Sequence, residues 1–232
     1  MEIKNLTEPN PLSYHSVGSM DAHDSKTRQQ ILKSALKCFA HCGYERASVQ
    51  DIVDAAKVSK PTLYYYFADK AGLYQALVDV AHDERLRLMQ EAAQHGQTLG
   101  EQLVEILAVL FEYLRENREL MRLAFATAFA APGELPEEID YLGKCQRNFE
   151  FIHSLVKRGL AEGVLDRRFS SKELALGILG LMNIHVMGNL IVPESELNRR
   201  TAEQIVQLFL RGAGTPASNK APSRTWAVQS GV

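Results

Sequence analysis

A chain of 232 residues with 46% apolar and 23% charged side chains has ordinary globular composition, long enough to bury a sizeable core in one or two units and unlike a disordered or membrane-embedded chain. Its three cysteines, an odd number without repeated pair spacing, argue against a disulfide framework and make a reducing cytoplasm the natural setting. The net charge of −2 conceals an asymmetry: residues 25–75 carry eight Lys and Arg against four acids, and residues 76–212 carry fifteen against twenty, the distribution expected when only one small part of a protein approaches phosphates.

The first 24 residues are polar and unpatterned, with a PNP run, and read as a mobile arm that lacks the basic start and continuous apolar stretch of a secretory signal. From Lys26 to Cys42 the residues Ile31, Leu32, Ala35, Cys38, Phe39 and Cys42 recur at helical spacing, an amphipathic first helix ended by Gly43. Ser48 precedes the periodic run VQDIVDAA with Asp51 three residues on, a capping-box pattern that opens a second, short helix. After a tight turn at Lys57 and Val58, Ser59 opens a third, where Pro61 is tolerated because the first turn has no intrahelical N–H bond to lose. Asp69 caps a longer helix to about Ala93. Further helices are expected at 99–116, 118–131, 137–162, 171–191 and 202–211, with Pro132, Pro136 and Pro193 as breakers. No apolar run reaches the ~18 residues a membrane span needs. Residues 213–232 read as a loose tail in which Trp226 is incidental rather than a docking anchor.

Two short helices joined by a tight turn between Ser48 and Phe67 make a helix-turn-helix, which presents its second helix to the major groove of DNA. With Leu63 set at 0°, a step of about 100° per residue places Phe67 beside it on the buried face, while Pro61, Thr62 and Tyr65 point outward and Tyr64 and Tyr66 lie on the flanks. That outward face is rich in hydroxyl and aromatic groups where an ordinary solvated helix shows Glu and Lys. Tyrosine hydroxyls and N–H groups at a helix start suit phosphate oxygens, and Lys60 and Thr62 suit base edges.

The stretch from Ile31 to Tyr74, ILKSALKCFAHCGYERASVQDIVDAAKVSKPTLYYYFADKAGLY, closely resembles the DNA-binding region of the TetR/AcrR family of bacterial regulators. The resemblance implies that Ser48, Ser59, Lys60, Pro61, Thr62, Tyr64, Tyr65, Tyr66 and Lys70 occupy positions used for DNA contact, and that Leu63 and Phe67 are core. Two departures stand out, since the family often has Gly where Lys57 and Pro61 stand. Lys57 then takes a left-handed conformation at a cost of ~1 kcal/mol, or the turn differs. Pro61 lacks a backbone donor and offers a ring to a thymine methyl, which alters base preference there.

The resemblance further implies an all-α protein in four parts: a flexible arm (1–24), a three-helix DNA-binding domain (25–75), a larger helical ligand-binding and dimerisation domain (76–212) and a tail (213–232). The helices at 137–162 and 171–191 look like the pair that builds a dimer interface in relatives. Cys145, Phe149, Ile152, Val156 and Leu160 form a seam, and Gly177, Gly180 and Gly188 permit close approach of the second helix; packing within one subunit explains the same pattern. An apolar pocket lined by Phe125, Phe129, Phe149, Met182 and Met187, with His153, Asn183 and His185 as polar groups, follows by analogy, and core packing is the competing role of each.

Cys38, His41 and Cys42 fall on one helical turn, as soft metal ligands would, yet the two cysteines also complete the buried stripe. No metal site and no cofactor is therefore assigned. The sequence has no nucleophile elbow, Gly-rich phosphate loop, HExxH or CxxC pair, which argues against an enzyme. The expected function is a dimeric repressor released from a palindromic operator by a small apolar or amphipathic effector. The rival is a helical ligand-binding or scaffold protein that has lost DNA binding, and the intact set Lys60, Thr62, Tyr64, Tyr65 and Lys70 argues against it.

Overall fold

The computed structural model describes residues 22–192 and 196–214, so the expected arm up to residue 21, Pro193, the tail beyond residue 214 and Trp226 lie outside the described residues. Within them the protein is helical, with one isolated antiparallel bridge between Leu165 and Gly214.

The first helix, α1 (Ala22–Arg46), starts before the expected Lys26 and is kinked at Gly43, whose φ of 79° and ψ of 174° lie where only glycine is comfortable. Ser48 caps α2 (Val49–Ala56) by accepting from the Asp51 backbone N–H. The reciprocal contact is made by the Ser48 hydroxyl donating to the Asp51 carboxylate at 2.6 Å. Lys57 ends α2 with φ 52° and ψ 43°, the left-handed conformation its place in the turn demands. Its N–H donates to the Asp54 carbonyl and that of Val58 to the Val53 carbonyl, which satisfies the last carbonyls of the helix. Ser59 then caps α3 (Lys60–Tyr66), and Pro61 sits in its first turn. These three helices close on Ile31, Leu32, Ala35, Phe39, Ile52, Val53, Leu63 and Phe67, all buried. Cys38 and Cys42 are only half-buried.

Asp69 caps α4 (Lys70–Ala93), which continues from this small core into the larger one and packs against α1, α5 (Leu99–Glu116), α6 (Arg118–Ala128) and α7 (Tyr141–Ala161). A full capping box joins Thr98 and Glu101 at the start of α5. The expected 118–131 helix stops at Ala128, because Phe129 leaves helical geometry. The expected 137–162 helix starts only at Tyr141, capped by Asp140. A second capping box, Ser170 with Glu173, opens α8 (Ser171–Ile191), and Asn198 caps α9 (Arg199–Ala213) three residues before the expected start. α7 packs on α8, and α9 lies against α5 and α8.

One sequence expectation needs correction here. An 18-residue window within Ser171–Ile191 reaches a mean hydropathy of 1.7, enough by length and composition to cross a membrane. A run-by-run reading misses it because Asn183, His185 and Asn189 interrupt the apolar residues. Only a third of that window is buried, so α8 carries far more apolar surface than this subunit covers.

Candidate nucleic-acid interface and ligand cavity

The geometry around α3 follows from its caps. The Ser59 hydroxyl accepts from the Thr62 N–H at 3.2 Å and lies 2.8 Å from the Thr62 hydroxyl, which fixes the side chain of Thr62 over the first turn. Lys60, Pro61, Tyr64 and Tyr65 stand exposed beside it, Tyr65 at 73% of its surface. Ser48 is exposed at the start of α2. Leu63 and Phe67 turn inward as the helical phase requires.

Two further residues of the expected set are engaged inside the protein. The Tyr66 hydroxyl donates to the Asp24 carboxylate at 2.8 Å, tying α3 to α1, and burial together with that carboxylate pushes its pKa up. The Lys70 ammonium sits among the carbonyls of Tyr44, Glu45 and Ala47 at 3.1 to 3.4 Å and 4.3 Å from the centroid of the Tyr44 ring. It thus holds the end of α1 and the loop into α2 against the start of α4, a role the sequence does not show because the partners lie 23 to 26 residues away. At the expected soft-ligand cluster, the Cys42 thiol donates to the Cys38 carbonyl and His41 is exposed. Among the described residues no three His, Cys, Asp or Glu side chains gather as a metal site.

A cavity of about 250 Å³ opens between α4, α5, α6, α7 and α8. Of the expected pocket residues, Phe125, Phe129, Met182 and Asn183 line it. Phe125 and Phe129 stack with centroids 6.5 Å apart, and Phe129 is largely exposed, so the pair forms the rim. Phe149, His153, His185 and Met187 do not line this cavity. Phe149 packs on the His153 ring, the Nε2 of His153 is 2.8 Å from the Ser171 hydroxyl, and the Nδ1 of His185 is 2.6 Å from the Leu181 carbonyl one turn back. These contacts hold α7 to α8 and satisfy α8 itself.

Beside Asn183, the polar lining is His82, Arg85, Tyr113, Tyr141 and Cys145, none of which was expected there. For Arg85 the sequence does hold a signal: it interrupts the stripe Leu77, Val78, Ala81 and Met89 that α4 buries, a cation where the helical phase calls for an apolar side chain. Burial lowers the pKa of Arg85, and no carboxylate is among the groups that offset it. The nearby acids are used elsewhere, since Asp83 pairs with Lys144 and Arg147 and Glu84 with Arg87.

The dimer seam read on α7 also needs correction. Ile152 and Val156 retain 2% and 0% of their surface and Cys145 faces the cavity, so this stripe looks into its own subunit. Phe149 and Leu160 are half-buried on its flank. The open apolar face belongs to α8, where Leu176, Ile184 and Ile191 are exposed and nothing stands within 4 Å of a Cβ built on Gly180 or Gly188; at Gly177 the nearest atom, from Phe209, is 3.8 Å away.

Comparison with known proteins places these features in a group. Residues 31–77 match the family described as bacterial regulatory proteins, tetR family. A probable HTH-type transcriptional regulator, YttP of Bacillus subtilis, is 27% identical over 165 residues, covering 69% of this chain and 76% of that protein. The HTH-type transcriptional repressor AcnR of Corynebacterium glutamicum is 33% identical over 96 residues, 40% of this chain and 46% of its own. A TetR family transcription regulator from Marinobacter aquaeolei VT8 superposes with a TM-score of 0.69 at 22% identity, over 84% of this chain and 99% of that one, a likeness of fold.

Proposed function

We propose that this chain, whose residues 31–77 match the TetR family of DNA-binding transcription regulators, is such a regulator and not an enzyme, working as a cytoplasmic homodimer that represses genes from a palindromic operator and is released by a small effector. The observation that carries the DNA-reading part is the outward face of α3, where Lys60, Pro61, Tyr64 and Tyr65 stand exposed around a Thr62 fixed by Ser59. On this reading Lys60 and Thr62 meet base edges, the Pro61 ring meets a thymine methyl, and Ser48, Ser59, Tyr64 and Tyr65 meet phosphates. Tyr66 and Lys70 serve the same interface from behind, by holding α3 and the α1–α2 loop in register.

The homodimer is supported by α8, whose apolar outer face the subunit leaves open; a second copy covers it by a two-fold contact of like with like. Two recognition helices then have to meet half-sites about 34–36 Å apart. The control element is α4. It begins beside α3 and carries His82 and Arg85 into the cavity wall, about 18 and 22 Å along the helix from Lys70 at ~1.5 Å per residue. The Tyr74 hydroxyl also meets the Thr127 hydroxyl of α6 at 2.7 Å, so a ligand that shifts α4 or α6 moves the reading head and changes the half-site distance.

Titration of the protein into labelled random duplex at several salt concentrations tests the reading. A linear fall of log affinity with log salt is expected, because bound Lys and Arg displace condensed counterions. Binding that does not respond to salt sinks it in favour of a ligand-binding scaffold. With an effector in hand, release from the operator must be reciprocal: a tenfold loss of operator affinity, about 1.4 kcal/mol of coupling, requires a tenfold loss of effector affinity when operator is bound.

A further inference from the structure

We infer that the cavity between α4, α5, α6, α7 and α8 is a receptor site for an apolar carboxylic acid, whose carboxylate is taken by the Arg85 guanidinium with the Tyr113 hydroxyl and the His82 Nε2–H as flanking donors. The inference rests on the effector reading above and names its ligand chemistry. Four side-chain polar atoms among the described residues are buried without a hydrogen-bond partner: His82 Nε2, Arg85 Nε, Tyr113 Oη and Asn148 Oδ1. Three of the four belong to residues that line this one cavity. Native proteins leave few such groups, since each costs the full desolvation of a polar atom, so three together on the wall of one cavity give it a polar end; each atom is sealed from water and meets a guest only when the wall gives.

All three are donors. Arginine has no acceptor. Burial raises the pKa of the Tyr113 phenol and keeps its proton on. For His82 the tautomer follows from its neighbour. The Asn148 amide nitrogen is oriented by two backbone carbonyls, of His82 at 3.3 Å and of Lys144 at 3.2 Å, and also lies 3.2 Å from His82 Nδ1. An amide NH2 has no lone pair to offer, so a proton on Nδ1 would face another donor, and the proton of the neutral imidazole is placed on Nε2 on that ground. Burial and the adjacent Arg85 and Lys144 push the pKa of His82 down to about 4, so the ring stays neutral at physiological pH.

The ligand must then supply acceptors to the guanidinium and the imidazole N–H, and one negative charge, with the Tyr113 hydroxyl free to donate to it as well. None of the ion pairs among the described residues includes Arg85, whose guanidinium donates to the Met182 sulfur at 3.9 Å. A planar guanidinium fork matches a carboxylate in shape and charge. The rest of the wall, including Leu110, Leu114, Met121, Phe125 and Val186, suits a short alkyl or aryl body. A volume of about 250 Å³ lies just below the usual span of ligand pockets, roughly 300–1,000 Å³, which favours a short or medium chain over a long lipid. A neutral apolar guest of the same shape leaves the three donors unsatisfied, and a cation is repelled by Arg85.

The test is calorimetric titration of the full-length protein with linear carboxylates from butanoate to dodecanoate and with the matching primary alcohols. Acids are expected to bind saturably and at least about tenfold more tightly than alcohols of equal length, in keeping with a hydrogen-bonded charge pair. Arg85→Met should bring acid and alcohol within about twofold of each other. It should also melt at a higher temperature than the parent without ligand, because a buried unpaired charge has been replaced by an apolar side chain. Arg85→Lys keeps the charge without the fork and should show a reduced preference for acids. Equal affinity for acid and alcohol, an undiminished preference in a folded Arg85→Met, or no saturable acid in the series overturns the inference. Parallel titration with DNA separates the two proposals: Arg85-dependent binding of an acid that leaves DNA affinity unchanged keeps this site and removes the release mechanism.

Discussion

At the scale of single residues, the interface divides into side chains that read and side chains that hold. Lys60 is exposed at the start of α3 beside Thr62, so Lys60→Ala and Thr62→Ala should each alter base preference at one operator position; a uniform loss across sequences would remove that residue from base readout. The Lys70 ammonium already serves three carbonyls. Lys70→Ala should therefore lower the unfolding free energy in urea by roughly 1.5–3 kcal/mol, the range for hydrogen bonds to charged groups; an unchanged midpoint would mean that the ammonium holds nothing. His82 supplies a pH test. Its folded pKa of about 4 lies below the ordinary value of 6.5, so the unfolded chain takes up a proton first as pH falls. The stability contributed by neutral His82 is present above about pH 6.5 and is lost between there and pH 4, by about 3 kcal/mol. Melting curves at pH 7 and pH 4.5 should show a smaller loss in His82→Gln than in the parent.

At the scale of elements, the helix-turn-helix depends on one unusual turn. Lys57 takes φ 52° without being glycine, which strains a side-chain-bearing residue by ~1 kcal/mol. Lys57→Gly should raise the unfolding free energy by about 0.5–1 kcal/mol, by giving the end of α2 the residue its geometry prefers, and should leave the sequence preference intact. Destabilisation would show that the lysine side chain contributes more there than the strain removes. The expected ends of α2 and α5 coincide with those observed, because Ser48, Thr98 and Glu101 act on N–H groups within three residues. The boundaries of α6, α7 and α9 were misjudged where proline, acidic residues and an asparagine cap left the local pattern ambiguous.

At the scale of the whole molecule, the open face of α8 makes a prediction about assembly. Gly180 and Ile184 are exposed in the subunit, so Gly180→Glu with Ile184→Glu should leave its fold and helical circular dichroism intact while placing charges in a two-fold contact. Sedimentation should then show monomers that bind a full palindrome poorly, since both half-sites must be engaged together. An intact dimer would move the interface off α8. Charges at Ile152, by contrast, are expected to unfold the subunit, because that side chain is in its own core.

What the sequence determined by itself is whatever depends on neighbours three or four residues apart. The helical phase, the caps at Ser48, Ser59 and Asp69, the inward turn of Leu63 and Phe67 and the outward hydroxyl-rich face of α3 were all legible, because helix and cap bonds join such neighbours. Tertiary structure alone decided which face of α7 is core, which side of α8 is left open, and that Lys70 holds the α1–α2 loop. It also decided that Arg85, His82 and Tyr113, from α4 and α5, share one cavity, since no local spacing links them. Those outcomes rest on contacts between residues far apart in the chain, such as Tyr74 with Thr127 and Arg118 with Asn189, 53 and 71 positions apart. Helical periodicity shows that a stripe is apolar, but a stripe packs equally well on its own subunit, on a second copy or around a ligand, and only the folded neighbours select among them.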